Sequence, residues 1–300
     1  LSSMKNRPVA VVTGASRGLG RGIAIALGEA GFTVYCTGRS DRQAVGPWGG
    51  TVRDTAELVD QAGGKGIVAI CDHLDDFKTE ALFKRVDAEQ GRLDLLVNNA
   101  FAMPDWAVPD GNFWERPLSL WRDMIDVGLR SSYAASHFAA PIMVRQRCGL
   151  IANTSGPGGK IYRHALPYGV GKAGQDKLAH DMAHELRPFD VAAISLWPGL
   201  IGTERTLAGI AAGGVVGDNA GNLPHIETPF FIGRVLAAIH AAGDAMTLSG
   251  GTFYSTELAS RYGVTDADGR LPESRRPLFG APLYQPISCE VGEAVHDSGV

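Results

Sequence analysis

An apolar, mostly β-branched run, Val9 to Val12, leads straight into the turn Thr13-Gly-Ala-Ser-Arg-Gly-Leu-Gly20, and residues 21–29 behind it repeat apolar side chains at helical spacing. Strand, tight glycine turn and helix in that order commit the start of the chain to a βα unit. The alternation then continues. Strands are expected at 32–37, 67–70, 93–97, 150–153, 191–196 and 252–254, and helices at 52–61, 77–89, 118–146, 168–186 and 230–242. Strands that alternate with helices run parallel and are joined by crossovers, so the expected class is an α/β doubly wound sheet in a single domain. That domain is expected over 4–265, with Leu1-Ser2-Ser3 lying ahead of Met4 and a C-terminal extension over 266–300.

With 300 residues, 45% hydrophobic content and a formal charge of −4, the chain can bury a full core and offers no basic stripe for a nucleic-acid backbone. No apolar run approaches the roughly 20 residues that cross a bilayer. A cytoplasmic protein is therefore expected, with no nucleic-acid partner and no membrane span. Cys36, Cys71, Cys148 and Cys289 lack metal-ligand spacing, and His180 with His184 reads as a packing or subunit face. No metal is expected. Residues 41–50 read as a loop inserted after the second strand, 199–227 as a glycine-rich mobile loop with one short helix, and the tail as packing across a subunit or lying loose.

A turn that receives a diphosphate must let backbone N–H groups come close to oxygen atoms, and Gly14, Gly18 and Gly20 remove the side chains that would block them. The helix behind the turn aims its positive end at the anion. At the end of the second strand Thr37-Gly38-Arg39 carries no carboxylate to bond ribose hydroxyls and repel a 2′-phosphate. Arg17 and Arg39 can both reach such a phosphate, which favours NADP over NAD. Asp72, at the end of the third strand, is placed to meet an adenine amino group or to cap a helix.

Tyr168 and Lys172 stand one helical turn apart on one face, where an ammonium favours the phenolate of its neighbour. Such a tyrosine donates a proton to a carbonyl oxygen as hydride arrives, or removes one from an alcohol.

These residues, with Asn98-Asn99-Ala100, Ser155 and Pro198-Gly199, occur in an order and at intervals by which the chain resembles the short-chain dehydrogenase/reductase family over about residues 7–255. The resemblance implies a Rossmann-type sheet of seven parallel strands. It implies hydride transfer between a nicotinamide cofactor and a carbonyl or alcohol, with Ser155, Tyr168 and Lys172 as catalytic residues. Gly14, Ser16, Arg17, Gly18, Leu19 and Gly20 would hold the cofactor together with Arg39, Asp72 and Asn99, and Lys172 would also bind the nicotinamide ribose. Pro198, Gly199, Ile201 and Thr203 would hold the carboxamide. Relatives commonly form homodimers or homotetramers through the helices carrying Asp126 and Tyr168, so a homo-oligomer is expected.

Two departures from the family pattern stand out. A single Ser155 replaces the frequent serine doublet, thirteen positions before Tyr168, and Gly128 stands where an asparagine usually supports a water-linked proton relay to the lysine. Glycine there keeps only a backbone carbonyl for the water, so an active enzyme with an altered relay is expected. In this fold the loop 101–106 overhangs the nicotinamide. Phe101, Met103, Trp106, Phe113, Trp114 and Trp197 are then candidates to line an apolar pocket for a bulky ketone, over which 200–227 could close. The competing readings are an NAD-dependent alcohol dehydrogenase of the same family and a regulator that binds NADP without turning it over. The absence of a Gly-x-Ser-x-Gly elbow disfavours a hydrolase.

Overall fold

In β1 (Val9–Val12) successive side chains point to opposite faces: Ala10 and Val12 join one buried cluster, Val9 and Val11 another. A strand buried on both faces is apolar throughout, and it belongs at the centre of a sheet clothed by helices on each side. The computed structural model describes residues 7–44, 46–102, 111–213 and 226–287 and has this architecture. The strands after β1 are β2 (Thr33–Gly38), β3 (Lys65–Ile70), β4 (Leu95–Asn98), β5 (Gly149–Thr154), β6 (Val191–Trp197) and β7 (Thr252–Tyr254). All neighbours pair in parallel, in the order β3-β2-β1-β4-β5-β6-β7. This is the Rossmann-type doubly wound sheet, with its strand order reversing between β1 and β4, where the crevice for a ligand opens.

One face is covered by α1 (Gly18–Glu29), α2 (Val52–Gln61), α8 (Phe231–Ala242) and α9 (Ser255–Tyr262), whose Ile23, Leu27, Val52, Val59, Val235, Leu236 and Leu258 pack on the sheet. The other is covered by α3 (Asp76–Gln90), α5 (Ser131–Gln146) and α6 (Leu166–Leu186) through Leu82, Phe83, Val86, Ala135, Ile142 and Ala183. Each fully buried Leu, Ile or Phe contributes about 1.5–3 kcal/mol, so the two clusters hold the sheet as a rigid platform.

The expected single helix over 118–146 has a different middle. After one α-turn, α4 (Ser119–Trp121), the chain widens into a π-helical stretch, Arg122–Arg130, before α5 resumes. The carbonyls of Val127 and Gly128 accept bonds from the Ser131 and Ser132 hydroxyls, at 2.5 and 2.9 Å, and such back-bonding distorts the ladder of a helix. The glycine-rich loop holds one short helix, α7 (Glu204–Ala211), as expected; residues 214–225 lie outside the described residues.

The inserted loop folds back on the glycine turn rather than standing away. Ser40 Oγ reaches the Gly50 carbonyl at 3.4 Å, and a Cβ on Gly50 would lie 2.4 Å from the Ser16 carbonyl oxygen. Described tail residues pack on their own chain along the β7 edge: Thr252 N–H donates to Tyr284 O at 3.0 Å and Ile287 N–H to Ser249 O at 2.9 Å. The short α10 (Arg276–Phe279) is tied down by Arg276 on Glu257 at 2.6 Å. His180 faces this tail, its Nδ1 2.9 Å from the Gly250 carbonyl and its ring against Tyr284. No helix among the described residues is long and apolar enough to cross a membrane.

Candidate active site

The glycine turn sits at the point where the strand order reverses, and its close contacts explain its composition. Gly14 and Gly18 adopt φ of +67° and +55°, and a Cβ on Gly20 would lie 2.3 Å from the Gly14 carbonyl oxygen. Asn99, at the end of β4, spends its amide on this turn, donating to Thr13 O at 2.9 Å and Gly14 O at 3.3 Å. The Thr13 hydroxyl in turn accepts the N–H groups of Asn99 and Ala100 at 2.8 and 2.9 Å. Asn99 therefore holds the cradle shut against β4, a role separate from the cofactor contact expected of it.

A carboxylate already lies at the head of α1. Gly18 N–H donates to Glu204 Oε2 at 3.0 Å, with Arg21 3.9 Å from the other oxygen. A helix N-terminus that draws an acidic side chain is one that suits a diphosphate, and the narrow glycine path leaves room for it. Next to this carboxylate, Thr203 caps α7 by accepting from Thr206 N at 3.2 Å, and Ile201 bridges to Glu227. Glu227 is the anchor of this region: its carboxyl accepts Gly199 N–H at 2.8 Å and Ser255 Oγ–H at 3.3 Å while fully buried, and burial pushes it up to about 8.

The end of β2 is open. Arg39 is exposed, and Asp41, the nearest acidic residue in sequence, is tied to Arg53 at 2.7 Å. Arg17 reaches the Gly49 carbonyl at 3.4 Å from the folded-back loop. Asp72 accepts Leu74 N–H at 3.2 Å, whereas the cap of α3 is Asp75, bonded to Lys78 N.

The catalytic candidates converge beside the cradle. Tyr168 lies on a glycine shelf after β5: a Cβ on Gly156 would be 3.3 Å from its hydroxyl, and one on Gly158 only 2.3 Å from its ring. Ser155, on the same shelf, donates to the Lys172 carbonyl at 3.0 Å. Lys172 is buried, its Nζ donating to Thr154 O at 3.2 Å and standing 4.7 Å from the Phe101 ring centroid. Burial pushes Lys172 down to about 8, with the nearby Asp176 opposing the fall. For Tyr168 the outcome differs from the phenolate expected of the lysine. Burial raises the phenol above its ordinary value, with Arg163 pulling down and Asp176 pushing up, so the free protein holds a protonated phenol. A protonated phenol is an acid in waiting.

The pocket residues separate. Phe101 packs edge-on to Tyr168, ring centroids 6.1 Å apart, and forms an apolar wall over Tyr168 and Lys172. Phe113 and Trp114 are 62% and 69% exposed and pack on each other. Met103 and Trp106 lie outside the described residues. Trp197 is a correction: at 1% exposure it is core, its indole N–H donating to Asp176 and its ring against Tyr254, because β6 carries it behind Ser155 instead of toward an opening.

The expected use of Gly128 changes too. Its carbonyl accepts from Ser132 Oγ and Gln175 Nε2, both at 2.9 Å, so both lone pairs are engaged. The acceptor left over is Gln175 Oε1, buried and without a protein partner, in a small cavity it shares with Gly128, Thr154 and Lys172. Gln175, Asp176 and Glu227 escape sequence reading because their partners come from other strands and helices; a buried polar residue next to Lys172 in a helix otherwise turned inward was the available signal. His164, exposed and at φ +57°, also meets the Tyr168 ring edge-on at 4.7 Å.

A seven-stranded parallel sheet with this cradle and this tyrosine–lysine shelf defines a class, and comparison with known proteins agrees. The short chain dehydrogenase model matches residues 8–208, and the chain belongs to the short-chain dehydrogenase/reductase family of oxidoreductases. It is 42% identical to the human protein "Dehydrogenase/reductase SDR family member 1" over 278 residues, covering 90% of this chain and 86% of that one. It is 31% identical to "3-oxoacyl-[acyl-carrier-protein] reductase FabG" of Staphylococcus aureus over 207 residues, 68% of this chain and 78% of the relative. Among solved structures, a 3-oxoacyl-[acyl-carrier protein] reductase from Brucella melitensis in complex with NAD superposes with a TM-score of 0.71 at 26% identity, covering 83% of this chain and 96% of that one.

Proposed function

We propose that the protein reduces the carbonyl of a bulky apolar ketone with NADPH. The observation that carries this reading is the Tyr168 hydroxyl resting on the Gly156–Gly158 shelf, with Ser155 beside it and buried Lys172 behind its ring. When bound, the cofactor supplies a hydride to the carbonyl carbon. Tyr168 gives its proton to the carbonyl oxygen, and Ser155 polarises that oxygen by a hydrogen bond. Lys172 holds positive charge beside the phenolate that remains and binds the ribose. Phe101, with Phe113 and Trp114 further out, supplies an apolar wall for a substrate of some bulk.

NADP is favoured over NAD because no carboxylate ends β2, Arg39 is exposed there, and Asp41 is neutralised by Arg53. Gly14 to Gly20 would receive the diphosphate, displacing Glu204 from the Gly18 N–H. Trp121, Tyr133 and Val170, exposed on α4, α5 and α6, support a homo-oligomer formed through these helices.

The test is to mix purified protein with NADPH or NADH and a panel of ketones while following absorbance of the reduced ring. Oxidation of NADPH with bulky apolar ketones, and a KM for NADPH at least about tenfold below that for NADH, is expected, since charge-assisted bonds to a 2′-phosphate contribute about 1.5–3 kcal/mol. Arg39→Ala should raise the KM for NADPH and leave that for NADH. Binding without oxidation across the panel would favour a sensor, and preference for NADH would favour the NAD-dependent reading.

A further inference from the structure

Asp176 lies one helical turn beyond Lys172 on α6, and at 4% exposure it is a carboxylate in the protein interior. Its oxygens are held from another element. Ser195 Oγ–H donates at 2.6 Å and Trp197 Nε1–H at 3.0 and 3.1 Å, both from β6. These donors would be satisfied equally by the carbonyl oxygen of an amide. An interior negative charge is costly unless a positive one balances it. Lys172, buried one turn earlier on the same helix with its Nζ donating to the Thr154 carbonyl, is the cation in position.

We propose that Asp176 is a positioning residue of the carbonyl-reducing reaction: it is the buried counter-charge of Lys172, anchored by Ser195 and Trp197, and it secures the ammonium on which Tyr168 relies. The inference rests on the function proposed above. Burial pushes Asp176 up to about 6 and Lys172 down to about 8, so the two are charged together between those values. The other titratable or charged groups around the pair are Tyr168 and His180 on α6, Arg163 ahead of it, and, beyond Trp197, Tyr254 with Arg276 over its ring. Of these, Asp176 is the group that acts on the Lys172 charge and holds it up. Without that charge Lys172 gives up its proton at lower pH.

Two measurements decide it. The first is a double-mutant cycle in urea unfolding at pH 7 with Asp176→Asn, Lys172→Met and the double variant. Mutual compensation predicts that the double variant loses less than the two single losses combined; additive losses would overturn the pairing, whether or not any ketone is turned over. The second is the pH profile of kcat/KM for ketone reduction. Asp176→Asn should move the alkaline limb down by about one pH unit or more, leaving activity near pH 6 close to wild type. Ser195→Ala and Trp197→Phe, which each remove one donor and leave the carboxyl in place, should lower thermal stability and move the limb less than Asp176→Asn does. An unmoved limb in Asp176→Asn, or equal movement in all three variants, would overturn the assignment. A wild-type protein that oxidises NADPH with no ketone would instead refute the functional reading, and the unfolding cycle would still judge the pair.

Discussion

Gly128 is the residue whose surroundings depart furthest from its expected role. A Cβ there would come within 3.0 Å of Phe101 Cδ2 and 3.3 Å of Cε2, so the small side chain makes space for the aromatic wall over Lys172. Restoring an asparagine would push Phe101 off the catalytic pair before it could serve any relay. Gly128→Asn is therefore expected to lower kcat/KM for bulky ketones about tenfold or more while small ketones lose less, because an overpacked interior costs about 1–3 kcal/mol. Steady-state kinetics on a size series checks this, and equal loss across the series would argue for a relay defect instead. Helical spacing alone put Tyr168 and Lys172 on one face, and Ser155, expected from the family resemblance, sits at the strand end beside that helix. Trp197 was misread for the converse reason: an aromatic next to Pro198-Gly199 looks like a pocket residue, and only the strand's facing direction sends it into the core against Asp176.

Among elements, helices and strands emerged nearly as their periodicity implied, with α2 and β7 matching their expected bounds. The π-helical stretch Arg122–Arg130 did not, because side-chain bonds to its carbonyls, not propensity, widen it. Nor did the bridge from Leu200–Gly202 to Glu227, which joins the two ends of the loop carrying α7 and which no local pattern announces. Burial holds the Glu227 carboxyl up to about 8, against 4.5 for a free side chain. Between those values the folded protein keeps a proton that the unfolded chain releases, so Glu227 makes stability fall as pH rises through this window. Glu227→Gln keeps an acceptor for Gly199 N–H and removes that slope. Melting temperatures of the two proteins should approach or cross as pH goes from 5 to 8, moving in the variant's favour; parallel curves would contradict this account of the clamp.

At the scale of the molecule, a sheet buried on both faces delivers three strand ends to one crevice: the glycine turn after β1, Asn99 after β4 and the serine–glycine shelf after β5. The layering followed from the sequence because apolar strands and amphipathic helices alternate through it. The packing of residues 280–287 along β7 did not, since a tail without periodicity carries no sign of the edge it covers. In the proposed reaction this architecture serves one proton, that of the Tyr168 hydroxyl. Replacing Tyr168 with phenylalanine keeps the ring on Gly158 and removes that proton. Purified Tyr168→Phe should still bind NADPH with near wild-type affinity while kcat for ketone reduction falls at least about a hundredfold; undiminished reduction by the variant would contradict the account.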